Sequence, residues 1–387
     1  MVEITNAGAS IERHFGTLDD PRQAMNQDHL FLDILVIAIC AIIAGADDWE
    51  AVADFGRAKA AWFKQFLTLA NGIPSHDTFW RVFRQLDPAQ FQACFLGWIQ
   101  AVNCVTQQEV VAIDGKKLRR SHDKGAGRNA IHMVSAWASS AGLTLGQRKV
   151  DEKSNEITAI PALLEGLDLA GCIVTIDAMA PSGHPQTEIA QAIVDKEADY
   201  LLALKANQGT LHEDVALLFD DLTQSNFTAY DYDHAKTVDK DHGRIEVRQA
   251  WTISDPALLR ALRTTDRWPL LRTLVKIQAE RDVGEQHSLE TRYFISSLSA
   301  PAAQLLAAAR THWGIENGCH WVLDIAFRED ECRLRKDHGA HNFAILRHIA
   351  LNCLKQERSA KVGVKNKRLR AGWDNDYLLS VLSTLFA

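Results

Sequence analysis

Two apolar runs in this chain each end in an aspartate: Val110-Val111-Ala112-Ile113-Asp114 and Cys172-Ile173-Val174-Thr175-Ile176-Asp177. A carboxylate at the end of a buried strand is costly unless it holds a metal or meets a cation. Far downstream, in the helical stretch His312-Trp313-Gly314-Ile315-Glu316-Asn317, Glu316 offers a third acid. Oxygen ligands alone suit a hard ion, magnesium or manganese. Two such ions about 4 Å apart would activate a water or hydroxyl and stabilise a leaving oxygen. The first aspartate is followed at once by Gly115-Lys116-Lys117-Leu118-Arg119-Arg120, so acid for a metal stands beside base for a phosphate. Glu316 is preferred over Asp324, Glu329 and Asp330 because His312, Trp313 and Trp321 surround it. His320, one helical turn on, either orients Glu316 or fills the core.

The elements that must position these acids follow from periodicity. Val110–Asp114, Ile131–Ala138 and Leu143–Val150 read as a meander of strands, the last two joined by the turn Ser139-Ser140-Ala141-Gly142. A helix over Ile157–Leu167, interrupted early by Pro161, leads to the strand Cys172–Asp177. A helix over Thr187–Ala198 leads to the strand Tyr200–Lys205. With a crossover after the meander, the fourth strand can lie beside the first, which makes Asp114 and Asp177 neighbours. Two like carboxylates so placed raise each other's pKa unless a cation neutralises them. Strands over Gly243–Ile253, Leu271–Gln278 and Arg292–Ser297 predict a β-rich insertion, after which Pro301 opens a long helix to Leu323.

Residues 1–105 read as helical. Leu30–Ala46 is apolar but short for a membrane span and carries Asp33, so a buried core helix is expected. A second helix is predicted from Trp49 to Ala70, then Ser75 caps a third whose Phe79, Val82 and Phe83 share a face. The pair is either a helix-turn-helix or a plain helical hairpin. The 387 residues, 47% hydrophobic and 24% charged, describe an ordinary globular protein with two or three domains. A net charge of −7 argues against a generally basic surface, but charge is uneven. Lys355, Arg358, Lys361, Lys365, Lys367, Arg368 and Arg370 stand against Glu357 alone, as a solvated tail or a phosphate-binding surface. Seven cysteines without a Cys-x-x-Cys fit reduced thiols in a cytosol, and the first residues lack the pattern of a signal peptide.

The chain resembles the DDE transposases of bacterial insertion sequences, and within them the H-repeat-associated group. The likeness runs through Asp20-Pro21-Arg22, Pro74-Ser75-His76-Asp77-Thr78-Phe79, Ala112-Ile113-Asp114-Gly115-Lys116 and Glu152-Lys153-Ser154-Asn155-Glu156-Ile157. It continues in Thr175-Ile176-Asp177-Ala178-Met179, Leu204-Lys205-Ala206-Asn207-Gln208, His242-Gly243-Arg244-Ile245-Glu246, His312–Asn317 and Ala371-Gly372-Trp373-Asp374-Asn375-Asp376-Tyr377. The resemblance implies an α/β fold, a ribonuclease-H-like mixed sheet flanked by helices, with a β-rich insertion and an N-terminal helical domain. On that layout residues 1–105 form the helical domain, 106–208 and 300–358 the catalytic core, 209–299 the insertion and 359–387 a basic C-terminal segment. It implies Asp114, Asp177 and Glu316 as catalytic, metal-binding acids for two Mg2+ ions, with Mn2+ as a substitute. It places Lys205, Asn207 and Gln208 near DNA. The implied activity is cleavage and strand transfer at terminal inverted repeats, by a homodimer that pairs two DNA ends and joins them to target DNA.

Two departures stand out. The family runs through a short turn from Asp177-Ala178-Met179 to a Gln, whereas here Ala180-Pro181-Ser182-Gly183-His184-Pro185 intervenes before Gln186. Related transposases carry a Tyr and an Arg ahead of the glutamate; here Ala309 and His312 stand at those spacings. Cations for a polyanionic substrate are offered by Lys116, Lys117, Arg119, Arg120, Lys124 and Arg128 near Asp114, and by Arg333, Arg335 and Lys336 after the glutamate helix. One of Trp137, Trp251, Trp313 and Trp321 could stack on a base. A metal-dependent nuclease of the same fold and an inactive DNA-binding remnant are the alternatives.

Overall fold

The structure, a computed structural model, describes residues 11–102, 108–122, 125, 127, 129–150, 156–177, 185–205, 209–241, 244–284 and 286–384. Among them nine strands form one mixed sheet: β1 (Val110–Lys117), β2 (His132–Ala138), β3 (Leu143–Lys149), β4 (Ile173–Ile176), β5 (Asp199–Leu204), β6 (Asp233–Asp241), β7 (Arg244–Ile253), β8 (Thr273–Val283) and β9 (Gln286–Ser296). Their order is β3-β2-β1-β4-β5-β9-β8-β7-β6. β1 pairs antiparallel with β2 and parallel with β4, and β4 pairs parallel with β5. Val111, Ala112, Ile113 and Val174 are fully buried, as apolar strands covered on both faces must be.

The β-rich stretch after β5 is no separate sheet. β9 pairs antiparallel with β5 from Leu201↔Ser296 to Leu204↔Tyr293, so β6–β9 prolong the sheet beyond β5. β6, Asp233-His234-Ala235-Lys236-Thr237-Val238-Asp239-Lys240-Asp241, is charged and mostly exposed, as an edge strand that must resist further pairing should be.

The apolar run Leu30–Ala46 is a core helix, Phe31–Ile43, buried from Asp33 onward. The buried Asp33 carboxylate accepts from the Leu69 N–H at 3.0 Å. Among the described residues no helix is long and apolar enough to cross a membrane. The expected second helix ends early: Trp49–Ala58 breaks at Lys59, and only Ala60–Phe63 follows before a turn. Ser75 caps His76–Gln85, its side chain accepting from the Thr78 N–H, and Phe79, Val82 and Phe83 are fully buried. That face stacks on Trp49, which in turn meets Phe343 edge-on.

The helix Gly339–Gln356 is buried along nearly its whole length and joins the N-terminal helices to β3. Asn342 donates to the carbonyls of Phe83 and Leu86, 2.8 Å each, and so satisfies the open end of the helix His76–Gln85. The basic C-terminal stretch is not a solvated tail. It folds into helices Val364–Trp373 and Asn375–Ser383, and two of its cations turn inward. Arg368 donates to the carbonyls of Ile42 and Ala46 at the end of the core helix. Lys367 donates to the carbonyl of Leu354 at 2.9 Å.

Candidate active site

Ile113 of β1 lies opposite Ile176 of β4 in the parallel register, and Asp114 and Asp177 are the next residues on each strand. Pairing with β4 ends there, while β1 runs on beside β2 to Lys117. Asp114 is therefore held from one side by Ser135 of β2 and open on the other.

The third acid arrives on a helical path that crosses the sheet. Ala302–His312 packs Leu305, Leu306 and Ala308 onto the strands. At its end the buried His312 meets the Thr175 hydroxyl through Nδ1 at 2.9 Å, and burial lowers the pKa of its ring. The helical path expected to reach Leu323 widens instead into a π-turn over Glu316–His320, then resumes as Trp321–Phe327. A π-turn is often a functional feature because it re-aims side chains. Here Glu316 and His320, four apart on the turn, both come up to Asp114.

Nδ1 of His320 lies 3.4 Å from Oδ2 of Asp114 and 3.6 Å from Oε2 of Glu316. One ligand atom from each of Asp114, Glu316 and His320 falls within 4.8 Å of the others. Burial pushes the Asp114 carboxyl up to about 6, against the pull of His320, with Glu316 adding to the rise. Glu316, half exposed, is held below its ordinary value, first by its hydrogen bond with His320. Two carboxyls this close share a proton when no cation is present. Their donor set, carboxylate oxygens and one imidazole, fits a divalent ion that would take that proton's place. Asp177 leaves the same end of the sheet but faces Arg292, His312 and Trp313, and its charge acts on His312.

The turn that carries Glu316 depends on two glycines. Gly314 and Gly318 lie against the buried ring of Trp137 on β2, and a Cβ at Gly318 would meet Cζ2 of that ring at 2.7 Å. Alanine for glycine inside a helix ordinarily stabilises by roughly 0.5–1 kcal/mol. Gly318→Ala is expected to reverse that sign and cost about 1–3 kcal/mol by overpacking. Chemical denaturation measures it, and a stabilised variant would show that the turn is free of Trp137.

Residues 12–99 match the family model described as "DDE_Tnp_1-associated", and residues 105–353 match the one described as "Transposase DDE domain". The chain belongs to the DDE transposases. The "H repeat-associated putative transposase YhhI" of Escherichia coli (strain K12) is 39% identical over 374 residues, covering 96% of this chain and 97% of that protein. The "Putative transposase YncI" of Escherichia coli O157:H7 is 39% identical over 379 residues, 97% of this chain and 95% of that protein. The structure titled "Cryo-EM structure of piggyBac transposase synaptic complex with hairpin DNA (SNHP)" aligns with a TM-score of 0.43 at 10% identity, over 100% of this chain and 78% of that one.

The cations of the transposase fall into two groups. Lys116, expected to touch DNA, is turned inward. Its ammonium is tied to Asp324, to Glu329 at 2.8 Å and to the His320 carbonyl at 3.3 Å, with 12% of its side chain exposed. The others stay at the surface. Lys117 ends β1, Arg119 pairs with Asp330 at 3.1 Å, and Lys205 follows β5 in the open. Arg335 donates to the Arg120 carbonyl at 3.0 Å, and the Lys336 ammonium lies 5.7 Å from the Trp80 ring centre. These two contacts join the segment after the glutamate helix to the β1–β2 loop and to the N-terminal helices. Asn207, Gln208, Lys124, Arg128 and the loop Ala180–His184 lie outside the described residues.

Proposed function

We propose that this chain is a divalent-metal-dependent transposase that cleaves DNA at the terminal inverted repeats of an insertion sequence and joins the freed ends to target DNA. The observation that carries the reading is the meeting of Asp114 and Glu316, from a strand and a helix 202 positions apart in sequence, within 4.8 Å of one another and of His320. The strand order β3-β2-β1-β4-β5, with β2 antiparallel to β1, supports a ribonuclease-H-like core over 106–208 and 300–358. In this reading 209–299 is an insertion that lengthens the sheet, 1–105 binds DNA ends, and 359–387 packs 1–105 against the core.

Asp114, Asp177 and Glu316 are the acids that would hold two Mg2+ ions, or Mn2+ in their stead. The chemistry those ions supply is activation of a water or a 3′-hydroxyl and neutralisation of charge on the leaving oxygen. His320 orients both Asp114 and Glu316 through Nδ1, and His312 anchors the helix that brings Glu316 to the sheet. Lys117, Arg119, Arg120, Arg335 and Lys336 would hold phosphates and fix the register of a duplex. The protein works in the bacterial cytosol on double-stranded DNA, as a homodimer that pairs two ends.

Labelled duplexes made from the DNA that flanks the gene test this. Cleavage and a joined product are expected with Mg2+, both lost on adding a chelator and restored by excess Mg2+. Cleavage that survives the chelator would refute the metal site. Cleavage without joined product would leave a nuclease, and binding without cleavage a remnant.

A further inference from the structure

The sheet extension carries a feature that the acid cluster does not use. Between β7–β9 and the helix Ala302–His312 lies a cleft of about 590 Å³. Its cations are five arginines: Arg244, Arg248, Arg281, Arg292 and Arg310. They come together because alternate residues of a strand share a face. Arg244, Glu246 and Arg248 face the helix from β7. Arg281 lies directly opposite Glu246 on β8, and Arg292 lies opposite Ile277 on β9. Arg310 closes the cleft from the helix.

Glu246 organises the arginines. Its carboxylate is 5% exposed and lies 2.6 Å from Arg248, 3.3 Å from Arg281 and 3.7 Å from Arg244. Asp239 pairs with Arg248 and Arg310 at 2.8 Å each, and Glu290 pairs with Arg292 at 2.7 Å. With Asp177, which faces Arg292 from the other side, five guanidiniums meet four carboxylates among the described residues and keep a positive surplus of one. Arg244, Arg281 and Arg310 remain about half exposed, with donors to spare. All the cations are arginine, whose planar fork matches phosphate oxygens two at a time. Between them the cleft is apolar, with Ile277, Phe294 and Leu306 in its wall. At the mouth Arg292 lies 4.9 Å from the Trp313 ring centre, and that ring is 43% exposed. Trp313, Gly314 and Asn317 line the cleft and flank Glu316, so the cleft opens on the acid cluster.

We infer that this cleft binds a single nucleic-acid strand, with Arg244 and Arg281 on successive phosphates and Trp313 stacked on a base. The inference rests on the proposed action on DNA. One strand offers both phosphate for the forks and an open base face for the apolar wall, whereas a duplex keeps its base faces stacked inside it. The occupant is read by backbone and stacking, so the site has no sequence requirement. A strand in the cleft leads directly to Asp114 and Glu316.

Fluorescence anisotropy with the full-length protein tests this, using labelled dT12 and a 12-base-pair duplex in chelator, where cleavage plays no part. The double replacement Arg244→Ala, Arg281→Ala is expected to weaken dT12 binding tenfold or more. The slope of log K against log salt should fall by about 1.4, the value for two phosphate contacts on a single strand. Trp313→Ala should weaken dT12 binding about fivefold or more, the loss of one stacked base, and its exposed side chain leaves the fold intact. Duplex binding should change less than twofold in both variants. Undiminished dT12 binding in both, or an equal loss on the duplex, overturns the cleft assignment while metal-dependent cleavage by the wild type stands. A wild type that binds dT12 as expected yet never cleaves would overturn the transposase reading and leave the cleft.

Discussion

Replacing Asp114 by asparagine is expected to abolish strand cleavage and joining while leaving duplex binding within about twofold, because phosphate contacts, which the change does not touch, set affinity. The loss should exceed about a hundredfold, the upper end of what losing a mere supporting residue of a metal site costs. Asparagine keeps the shape and one oxygen but removes the charge that would hold a cation against Glu316. The same change is expected to stabilise the metal-free protein at pH 7.5. Burial raises the Asp114 carboxyl from an ordinary 3.8 to about 6 in the folded chain. A carboxyl raised on folding contributes stability that is full below 3.8 and is lost as the pH rises through 6. At pH 7.5 the folded protein therefore carries the whole cost of a buried carboxylate, and asparagine relieves it. Thermal melts should show the variant a few degrees above the wild type at pH 7.5, with the gap closing toward pH 4. The proton and a divalent ion compete for this group, so ion binding by the wild type should weaken below pH 6. Cleavage at the wild-type rate would remove Asp114 from the reaction. A variant that melts lower at pH 7.5 would contradict the reading of its burial.

What the sequence revealed and what it concealed divide along physical lines. β1, β4 and β5 are legible because a doubly covered strand must be a continuous apolar run, and Val110–Ile113, Ile173–Ile176 and Tyr200–Leu204 are such runs. Their parallel pairing follows from the helices between them, and it sets Asp114 beside Asp177. β6 is illegible for the opposite reason: its charges serve an edge, and nothing apolar marks it. The cleft behind it left only a period-two trace, Arg244-x-Glu246-x-Arg248, inside a motif whose role the sequence leaves open. The π-turn at Glu316 is invisible to a 3.6-residue period, although Gly314 and Gly318, four apart against Trp137, record it. Ala309 and His312, which depart from the spacing of related transposases, have other tasks. Ala309 lines the arginine cleft and His312 bonds Thr175. Lys116 is the instructive case. Its neighbours Lys117, Arg119 and Arg120 suggest a basic patch, but strand alternation puts Lys116 on the face of Asp114, toward the glutamate helix.

Lys116→Met should accordingly behave as a core mutation. The Lys116 ammonium joins β1, two residues past Asp114, to the segment after the π-turn, through Asp324, Glu329 and the His320 carbonyl. Glu329 has 2% of its side chain exposed, and among the described residues it also pairs with Arg347 at 3.6 Å, itself 2% exposed. Burial pushes the Glu329 carboxyl up, but Lys116 and Arg347 outweigh it and hold the group below its ordinary value. Burial likewise pushes the Lys116 ammonium down, and Glu329 and Asp324 outweigh that and raise it. Each charge is tolerated in the interior because opposite charges surround it, and the Lys116–Glu329 contact is the closest that Glu329 makes. Removing one leaves a buried charge uncompensated, which costs about 3–5 kcal/mol. A lysine that merely touched DNA in solvent would cost under about 0.5 kcal/mol. Urea unfolding distinguishes the two, and the double replacement Lys116→Met, Glu329→Gln sharpens the test. Glu329→Gln also takes the carboxylate from the buried Arg347, so the double variant is expected to lose less stability than the sum of the two single losses, a coupling that only residues in contact display. Cleavage should fall in the single variant even at temperatures where it is folded, because the strut that holds the Glu316 turn against β1 is lost. Duplex binding should persist. A single variant as stable as the wild type, with weakened DNA binding, would return Lys116 to the surface role that its basic neighbours suggest.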